Sequence, residues 1–145
     1  MKLSIHQNEH FTETEVIINC AYIDTRLQRL TDYIRQYTFS LECESEGNQY
    51  QLPIEDIFYI ESVDSKTFLY DYERTYSCKQ TLTTLEEKLK NTTFVRISKS
   101  CLLNVSYLKC VAPFANHRLK AELKNGEQLI ISRNYVEALK DKLRK

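Results

Sequence analysis

The spacing of apolar residues differs between the first quarter of the chain and the remainder. Residues 15–20, EVIINC, form a short apolar and β-branched run that is typical of a buried strand. A helical spacing follows, and its apolar positions are Leu27, Leu30, Ile34 and Tyr37. Asp24 or Thr25 is placed to cap the start of this helix. Residues 1–40 are therefore predicted to form a small α/β extension.

From about residue 39 the apolar positions alternate with polar ones, which is the period of a strand with one buried face. The segments with this pattern are 39–45, 50–54, 57–63, 66–72, 74–79, 94–104, 106–111, 117–123 and 127–132. Asn125 and Gly126 separate the last two and are typical of a hairpin turn. Short helices are predicted at 82–90 and from about residue 132. The pattern predicts an α+β, mostly β fold, with about ten short antiparallel strands and small helices over residues 41–145.

Length and composition fit a single globular domain with a small appendage. The chain has 145 residues, of which 42% are hydrophobic and 28% are charged. Five cysteines occur without a C-x-x-C pair, so they are interpreted as reduced thiols of a cytoplasmic protein, and no metal site is predicted. The first residues lack the apolar run of a signal peptide, and no run is long enough to cross a membrane.

The sequence offers little that would support catalysis. The three histidines are scattered, two in the extension and one before a hairpin strand. The two glycines cannot build a glycine-rich phosphate loop. Because a nucleophile–base pair, a metal cluster and a phosphate cradle are all missing from the pattern, neither an enzyme nor a cofactor is expected.

Charge is distributed unevenly although the formal net charge is zero. Residues 1–50 carry four Lys and Arg against eight Asp and Glu, and residues 51–87 carry three against eight. Residues 88–145 carry thirteen against four, an excess of nine positive charges. Such an excess gives the last two-fifths of the chain an electrostatic reason to bind a polyanion.

Three short segments combine hydrogen-bond donors with the predicted ends of strands. They are residues 61–66 (ESVDSK), 96–100 (RISKS) and 132–135 (SRNY). Arginine binds phosphate or a guanine edge through two donors, and lysine acts as a mobile point charge. The third segment also opens a helix, whose free N–H groups attract phosphate. Each segment alone is typical of a solvated strand end, but together with the positive charge they favour a polyanion-binding surface.

Four blocks follow one another along the chain: IFYIESVDSKTFLY, the helix LTTLEEKL, FVRISKSCLLNVSYL and LKNGEQLIISRNYVEALK. Over roughly residues 48–145 their order resembles the LytTR family of bacterial DNA-binding domains. Residues 1–40 resemble the short N-terminal extension of stand-alone LytTR regulators of Firmicutes. The resemblance implies a sequence-specific transcriptional regulator that inserts loops of a β-scaffold into successive major grooves of double-stranded DNA. It also implies a homodimer on promoter direct repeats.

The resemblance further implies which residues contact DNA. They are Ser62, Val63, Lys66, Arg96, Lys99, Ser100, Arg133 and Asn134, with Arg118, Lys120 and Lys140 as weaker candidates for phosphate contacts. Val63 would touch a thymine methyl group but cannot donate a hydrogen bond, and Asn134 would pair with adenine. Arg96 is expected to support Lys99. For the weaker candidates, solvated surface is an equally good interpretation.

Two questions stay open at this point. Four strand tyrosines, Tyr59, Tyr70, Tyr72 and Tyr76, are also consistent with a ligand-sensing or protein-interaction surface, or with stacking on single-stranded nucleic acid. Residues 1–40 show no aspartate-centred phosphoacceptor pattern, and we expect them to mediate dimerisation or to receive a signal from a membrane protein.

Overall fold

The computed structural model describes residues 1–37 and 39–144. Its described part contains ten strands and three α-helices, which confirms the predicted mostly β architecture. The strands are β1 (Ser40–Ser45), β2 (Asn48–Pro53), β3 (Tyr59–Val63), β4 (Lys66–Tyr70), β5 (Thr75–Cys78), β6 (Phe94–Ser98), β7 (Cys101–Asn104), β8 (Leu108–Phe114), β9 (Arg118–Leu123) and β10 (Gln128–Ile131). The helices are α1 (Thr25–Tyr37), α2 (Leu82–Lys88) and α3 (Val136–Arg144).

The strands form two antiparallel sheets. Seven strands are ordered β2-β1-β5-β4-β3-β7-β6, and three are ordered β10-β9-β8. Asp64 and Ser65 join β3 to β4 with φ angles of 51° and 65°, the left-handed conformation that a two-residue hairpin turn requires. The predicted hairpin at Asn125–Gly126 is confirmed, with Gly126 at a φ of 91° between β9 and β10.

The large sheet is covered on both faces at β7, whereas β1 and β5 alternate buried and exposed residues and so keep one face in solvent. On one face it packs against α2 through a cluster that includes Leu69, Leu85 and Leu102. On the other face the small sheet and α3 cover it through a second cluster that includes Leu103 and Leu139. Neighbouring residues of β7 therefore belong to different cores, and all four of its residues are buried. A strand covered on both sides is held rigidly, and so are the turns at its ends.

Residues 1–24, which we call the arm, differ from the prediction. The strand predicted at residues 15–20 is wrong, because the structure has neither helix nor paired strand anywhere in the arm, and every arm residue is exposed. A buried strand needs a neighbouring strand for its backbone groups, and no strand of this chain pairs with the segment. The extension is thus helical only after Asp24, whose Oδ1 accepts the backbone N–H of Leu27 at 2.8 Å and caps α1 as predicted.

Helix α1 is anchored by a buried amide that the apolar spacing does not reveal. Tyr37 was predicted to face inward, but it is exposed, and its neighbour Gln36 is buried in its place. The Gln36 Oε1 accepts the backbone N–H of Thr93 at 3.0 Å and the Thr93 hydroxyl at 2.8 Å. Arg29 donates to the carbonyl oxygen of Leu143 at 3.2 Å. These bonds attach α1 to the structure beside the first residue of β6.

Candidate nucleic-acid interface

The three donor segments of the sequence lie side by side in the structure. The backbone N–H of Ser62, at the end of β3, donates to the carbonyl oxygen of Ser100 at 2.8 Å. The backbone N–H of Ser132 donates to the carbonyl oxygen of Ile97 in β6 at 2.8 Å. Two backbone hydrogen bonds thus join all three segments into one row, which we call the polar edge (residues 62–66, 98–100 and 132–134).

The first segment of the polar edge is the β3–β4 turn. Val63 precedes the turn and Lys66 follows it. They form the strand pair that closes the turn, and both are exposed. Val63 retains 42% of its accessible surface although it is apolar. Thr67, one residue further, is buried and fixes the base of the turn. The turn consequently presents one apolar and one cationic side chain on a rigid base.

The second segment is the tight turn between β6 and β7. Lys99 and Ser100 lie at its tip and are exposed, while Ile97 and Cys101 on either side are buried. The Ser98 hydroxyl oxygen accepts the backbone N–H of Ser100 at 3.2 Å. This local bond satisfies a turn donor and holds the tip in one conformation.

Arg96 braces the same turn from inside. Its guanidinium Nη1 contacts the Glu86 carboxylate at 2.9 Å, and its Nε donates to the carbonyl oxygen of Ser98 at 3.0 Å. Its Nη2 donates to the carbonyl oxygen of Lys99. Only 17% of its side chain is accessible. The structure therefore places Arg96 behind Lys99, with its donors already engaged within the protein.

The third segment follows β10 and leads into α3. Arg133 and Asn134 begin a short 3-10 turn and are exposed. With Asn116, Arg118 and Ser132 they line an open groove of about 440 Å³. The structure thus brings Arg118 to the polar edge. Its guanidinium carbon lies 4.8 Å from the centre of the Phe114 ring, and its Nε donates to the carbonyl oxygen of Ala115 at 2.9 Å, which fixes its orientation.

Two weaker candidates lie apart from this row. Lys140 is exposed on α3, more than one helical turn beyond Asn134. Lys120 lies within β9, with its ammonium 5.8 Å from the centre of the Phe114 ring. The structure does not bring either of them into contact with the three turns.

Sequence reasoning missed two residues beside the polar edge. Lys79 follows β5, and the pairing of Thr67 with Cys78 places it next to Lys66. Asn116 lines the groove with a left-handed backbone, at a φ of 61°. Asparagine favours that conformation more than most residues do, so the Asn116-His117 pair between two strands was a usable signal. Nothing around Lys79 in the sequence alone distinguishes it from any other exposed lysine.

The four strand tyrosines do not form one exposed surface. Tyr59 and Tyr76 are buried, Tyr70 is half-buried and stacks on Tyr59 at 4.4 Å, and only Tyr72 of the four is well exposed. Burial, followed by the nearby Glu61 carboxylate, raises the pKa of the Tyr70 hydroxyl to about 12, so it stays a neutral donor to Glu61. A stacking platform made of these rings is therefore not present.

The described residues also bear on metals and membranes. Within residues 1–37 and 39–144, no group of three or more His, Cys, Asp or Glu side chains is arranged to hold a metal ion. Among the helices of that part of the chain, none is both long and apolar enough to cross a membrane.

Comparison with protein families adds an independent line of evidence. Residues 47–144 match the model of the LytTr DNA-binding domain family. The chain belongs to this family. The matched residues include all eleven implied primary and weaker contact positions from Ser62 to Lys140, and the region begins in the turn that follows β1.

Relatives of the LytTr family align with much of the chain. The sensory transduction protein LytT of Bacillus cereus is 34% identical over 91 residues, covering 63% of this chain and 37% of that protein. LytT of Enterococcus faecalis is 28% identical over 104 residues, covering 72% and 43%. The transcriptional regulatory protein LytR of Staphylococcus aureus is 23% identical over 111 residues, covering 77% and 45%. The chain thus spans less than half the length of these relatives.

A solved structure supports the fold. A LytTr DNA-binding domain from Bacillus cereus superposes with a TM-score of 0.69 and 24% sequence identity, covering 73% of this chain and 97% of that one. At this identity the likeness concerns the fold. It agrees with the ten antiparallel strands described above.

Proposed function

We propose that the protein is a transcription regulator that binds double-stranded DNA through the polar edge, with its three turns entering successive major grooves. The observation that carries this proposal is the pair of backbone bonds, Ser62 to Ser100 and Ser132 to Ile97, that aligns three donor-rich turns. A β-scaffold with rigid turns loses little conformational entropy on binding. Membership of a DNA-binding family supplies the ligand class.

The exposed side chains of the polar edge suit different parts of DNA. Lys99 and Arg133 are cationic and exposed, and so are available to phosphates or to guanine N7 and O6. Val63 offers an apolar contact for a thymine methyl group, and the Asn134 amide matches the adenine edge. Ser62, Lys66 and Ser100 flank these positions and are assigned to phosphate contacts. This division predicts preference for sites that contain both A·T and G·C pairs.

Arg96 has a positioning role in this proposal. Its contacts with Glu86, Ser98 and Lys99 hold the turn tip, and they leave the Lys99 ammonium directed outward as the contacting group. Arg118 and Asn116 form the wall of the adjacent groove, which suits a phosphate beside the third turn.

Two protomers of a cytoplasmic protein act on paired direct repeats in this proposal, and they act by binding and without catalysis. A paired site doubles the contact area and raises affinity through effective concentration. The relatives LytT and LytR, a sensory transduction protein and a transcriptional regulatory protein, support the regulatory role within this proposal.

Footprinting on the DNA upstream of the protein's own gene would locate a site, and fluorescence anisotropy on that duplex would then test the contacts. Lys99→Ala and Arg133→Ala are each expected to lose about 1–3 kcal/mol of binding free energy and to relax preference at one base position. Lys88→Ala is the matched control, because Lys88 is exposed on α2 outside the polar edge. Loss that is equal in all three variants would contradict the proposal.

A further inference from the structure

The arm carries a concentration of exposed apolar side chains that the rest of the described chain does not match. These are Met1, Leu3, Ile5, Phe11, Val16, Ile17, Ile18, Tyr22 and Ile23. Ile17, in the middle of the β-branched run, retains 70% of its accessible surface. Leaving so many large apolar groups in water is unfavourable, and such patches mark association surfaces.

The backbone of the arm is equally unpartnered. The backbone–backbone bond within it joins the N–H of Phe11 to the carbonyl oxygen of Asn8 at 3.1 Å, and it closes a turn. Residues 14–20 run without turn or bend and belong to neither sheet. Their composition favours a strand, and a strand without a neighbour leaves its donors and acceptors free to pair with another chain.

The sheets of the same chain have few free strand edges with which this segment could pair. The outer edges of β6 and β10 face each other, as the Ser132 to Ile97 bond shows. The remaining edge strands, β2 and β8, contain Pro53 and Pro113. Proline lacks the N–H that a ladder needs and is a usual device for blocking an edge. The arm belongs to neither sheet of its own domain and is free to pair with another chain.

We propose that residues 13–21 pair antiparallel with the same residues of a second copy of this chain, about a two-fold axis at Ile17. This inference deepens the proposed function and rests on it, because that function needs two protomers. The two-fold axis relates the arms, and residues 22–24, which belong to neither helix nor strand, join each arm to α1 so that the two domains can lie in the same orientation on direct repeats. Pairing about Ile17 sets Val16 opposite Ile18, which joins the apolar positions of the two copies. A two-fold contact of this kind uses one surface twice and needs no second partner surface.

The charges of the segment favour this arrangement over a parallel one. Glu13 and Glu15 lie at one end of it, and Asn19 and Ala21 lie at the other. Antiparallel pairing about Ile17 places each glutamate opposite an uncharged residue. A parallel, in-register pair would place each glutamate opposite its own copy, and like charges directly opposite destabilise a strand pair.

The paired segment of nine residues is smaller than a standard interface, so the other exposed apolar residues of the arm, such as Phe11 and Tyr22, have to contribute to the dimer as well. A standard protein interface takes about 800 Å² and about 20–30 residues from each partner. The arm comprises all the residues before α1, which begins at Thr25, and all of them are exposed. Its location is compatible with DNA binding, because Gln36 attaches α1 at Thr93, whereas the polar edge includes Ser98 at the opposite end of β6.

Sedimentation of the full chain tests the pairing. The wild type is expected to be a dimer and Ile17→Lys a monomer, with the urea unfolding midpoint of the domain unchanged because Ile17 is exposed within one chain. Tyr72→Lys is the matched control, since Tyr72 is 78% exposed outside the arm, and it should stay dimeric. A monomeric wild type, or a dimeric Ile17→Lys variant, would overturn the inference and assign the arm to a partner of another class, such as a membrane protein.

Disulfide trapping tests whether the two-fold axis of the paired arms passes through Ile17. In a background with Cys20→Ser and Cys110→Ser, which removes the exposed thiols of the described residues, Ile17→Cys should cross-link two chains on mild oxidation. Glu13→Cys should not, because its copy lies at the far end of the pair. Equal trapping at both positions would overturn the proposed register.

DNA binding separates this inference from the proposed function. Ile17→Lys should bind a single site as well as the wild type does, and should bind a paired site about 10²-fold or more weakly. A wild type that dimerises through the arm but binds no DNA would refute the proposed function and leave the arm pairing intact. A wild type that binds single sites as a monomer would refute the arm pairing and leave DNA binding by the polar edge intact.

Discussion

The polar edge and the arm both expose groups that interact with other molecules, but they do so in opposite ways. Most exposed donors of the polar edge lie within two residues of a buried residue, as Lys99 does between Ile97 and Cys101. The arm has no buried residue at all. The polar edge is therefore ordered before it binds, whereas the arm acquires its neighbours only on association. One chain thus combines a preformed surface for DNA with a segment that is completed by pairing.

Salt should separate the two regions most strongly. If the polar edge makes six to ten phosphate contacts, DNA affinity should fall on the order of 10³–10⁵ between 50 and 200 mM salt. Pairing of the arm buries apolar groups, which salt does not screen, so dimerisation should change little over the same range. Anisotropy and sedimentation in matched buffers would measure both. DNA binding that is indifferent to salt would contradict the role of the polar edge.

Removing Arg96, which supports the turn that carries Lys99, should reduce both the stability of the fold and the affinity for DNA. Arg96→Ala leaves Glu86 and two backbone carbonyl groups without their donor, so the free energy of unfolding should fall by about 1–3 kcal/mol. DNA affinity should fall as well, because the Lys99 turn loses its support. Urea titration and anisotropy would measure the two effects. Lys99→Ala is the control, since it should reduce DNA affinity with little change in stability.

Loosening the attachment of α1 should leave the polar edge intact. Gln36→Ala removes the acceptor for the half-buried backbone N–H of Thr93, which should cost about 1 kcal/mol, whereas the Thr93 hydroxyl keeps Asn104 Oδ1 as an acceptor at 2.7 Å. Thermal denaturation should show this loss, while the affinity for a single DNA site should not change. A parallel loss of single-site affinity would show that α1 influences the polar edge directly.

Acid should weaken the end of the sheet that lies away from the polar edge. Burial would raise the pKa of the Asp71 carboxyl, but hydrogen bonds from Tyr76, Arg74 and Glu73 outweigh burial and lower it. A folded-state pKa below the ordinary value means that this stabilisation is complete above that value. It is lost as the pH falls through the folded-state pKa. The stability advantage of the wild type over Asp71→Asn should therefore shrink in acid, as pH-dependent urea titrations would show.

The sequence predicted those parts of the fold whose partners lie within the same chain. Alternating positions marked nine segments that overlap the ten strands, with β6 and β7 both in segment 94–104, and Asn125–Gly126 located a hairpin, because both signals are local. The strand predicted at residues 15–20 was wrong for the opposite reason, since its composition favours pairing but this chain offers it no edge. Gln36 was missed because an amide on an otherwise apolar helix face looks solvated until its distant partner, Thr93, is placed.

The sequence predicted which three segments form the candidate site. It did not predict which of their side chains are free to contact a ligand and which are held by other residues of the protein. The three segments were recognised from their donors, but which donor is occupied depends on tertiary contacts. The family resemblance implied that Arg96 supports Lys99, but the residues alone do not separate the two, and the structure shows that Glu86 engages Arg96. Lys79 becomes a neighbour of Lys66 only through the β4–β5 register. Whether these residues contact DNA stays a prediction.

The attachment of α1 at Gln36 has a consequence for the phasing of binding sites along DNA. An α-helix turns by about 100° per residue, and B-DNA completes a turn in about 10.5 base pairs. If the arms pair, one residue inserted in α1 before Arg29 would rotate the joined arms against the anchored part of the helix. The preferred spacing of two DNA sites would then change, because each arm would meet its partner at a different angle. Helix α1 would in this way influence the spacing between the two DNA sites that a dimer binds.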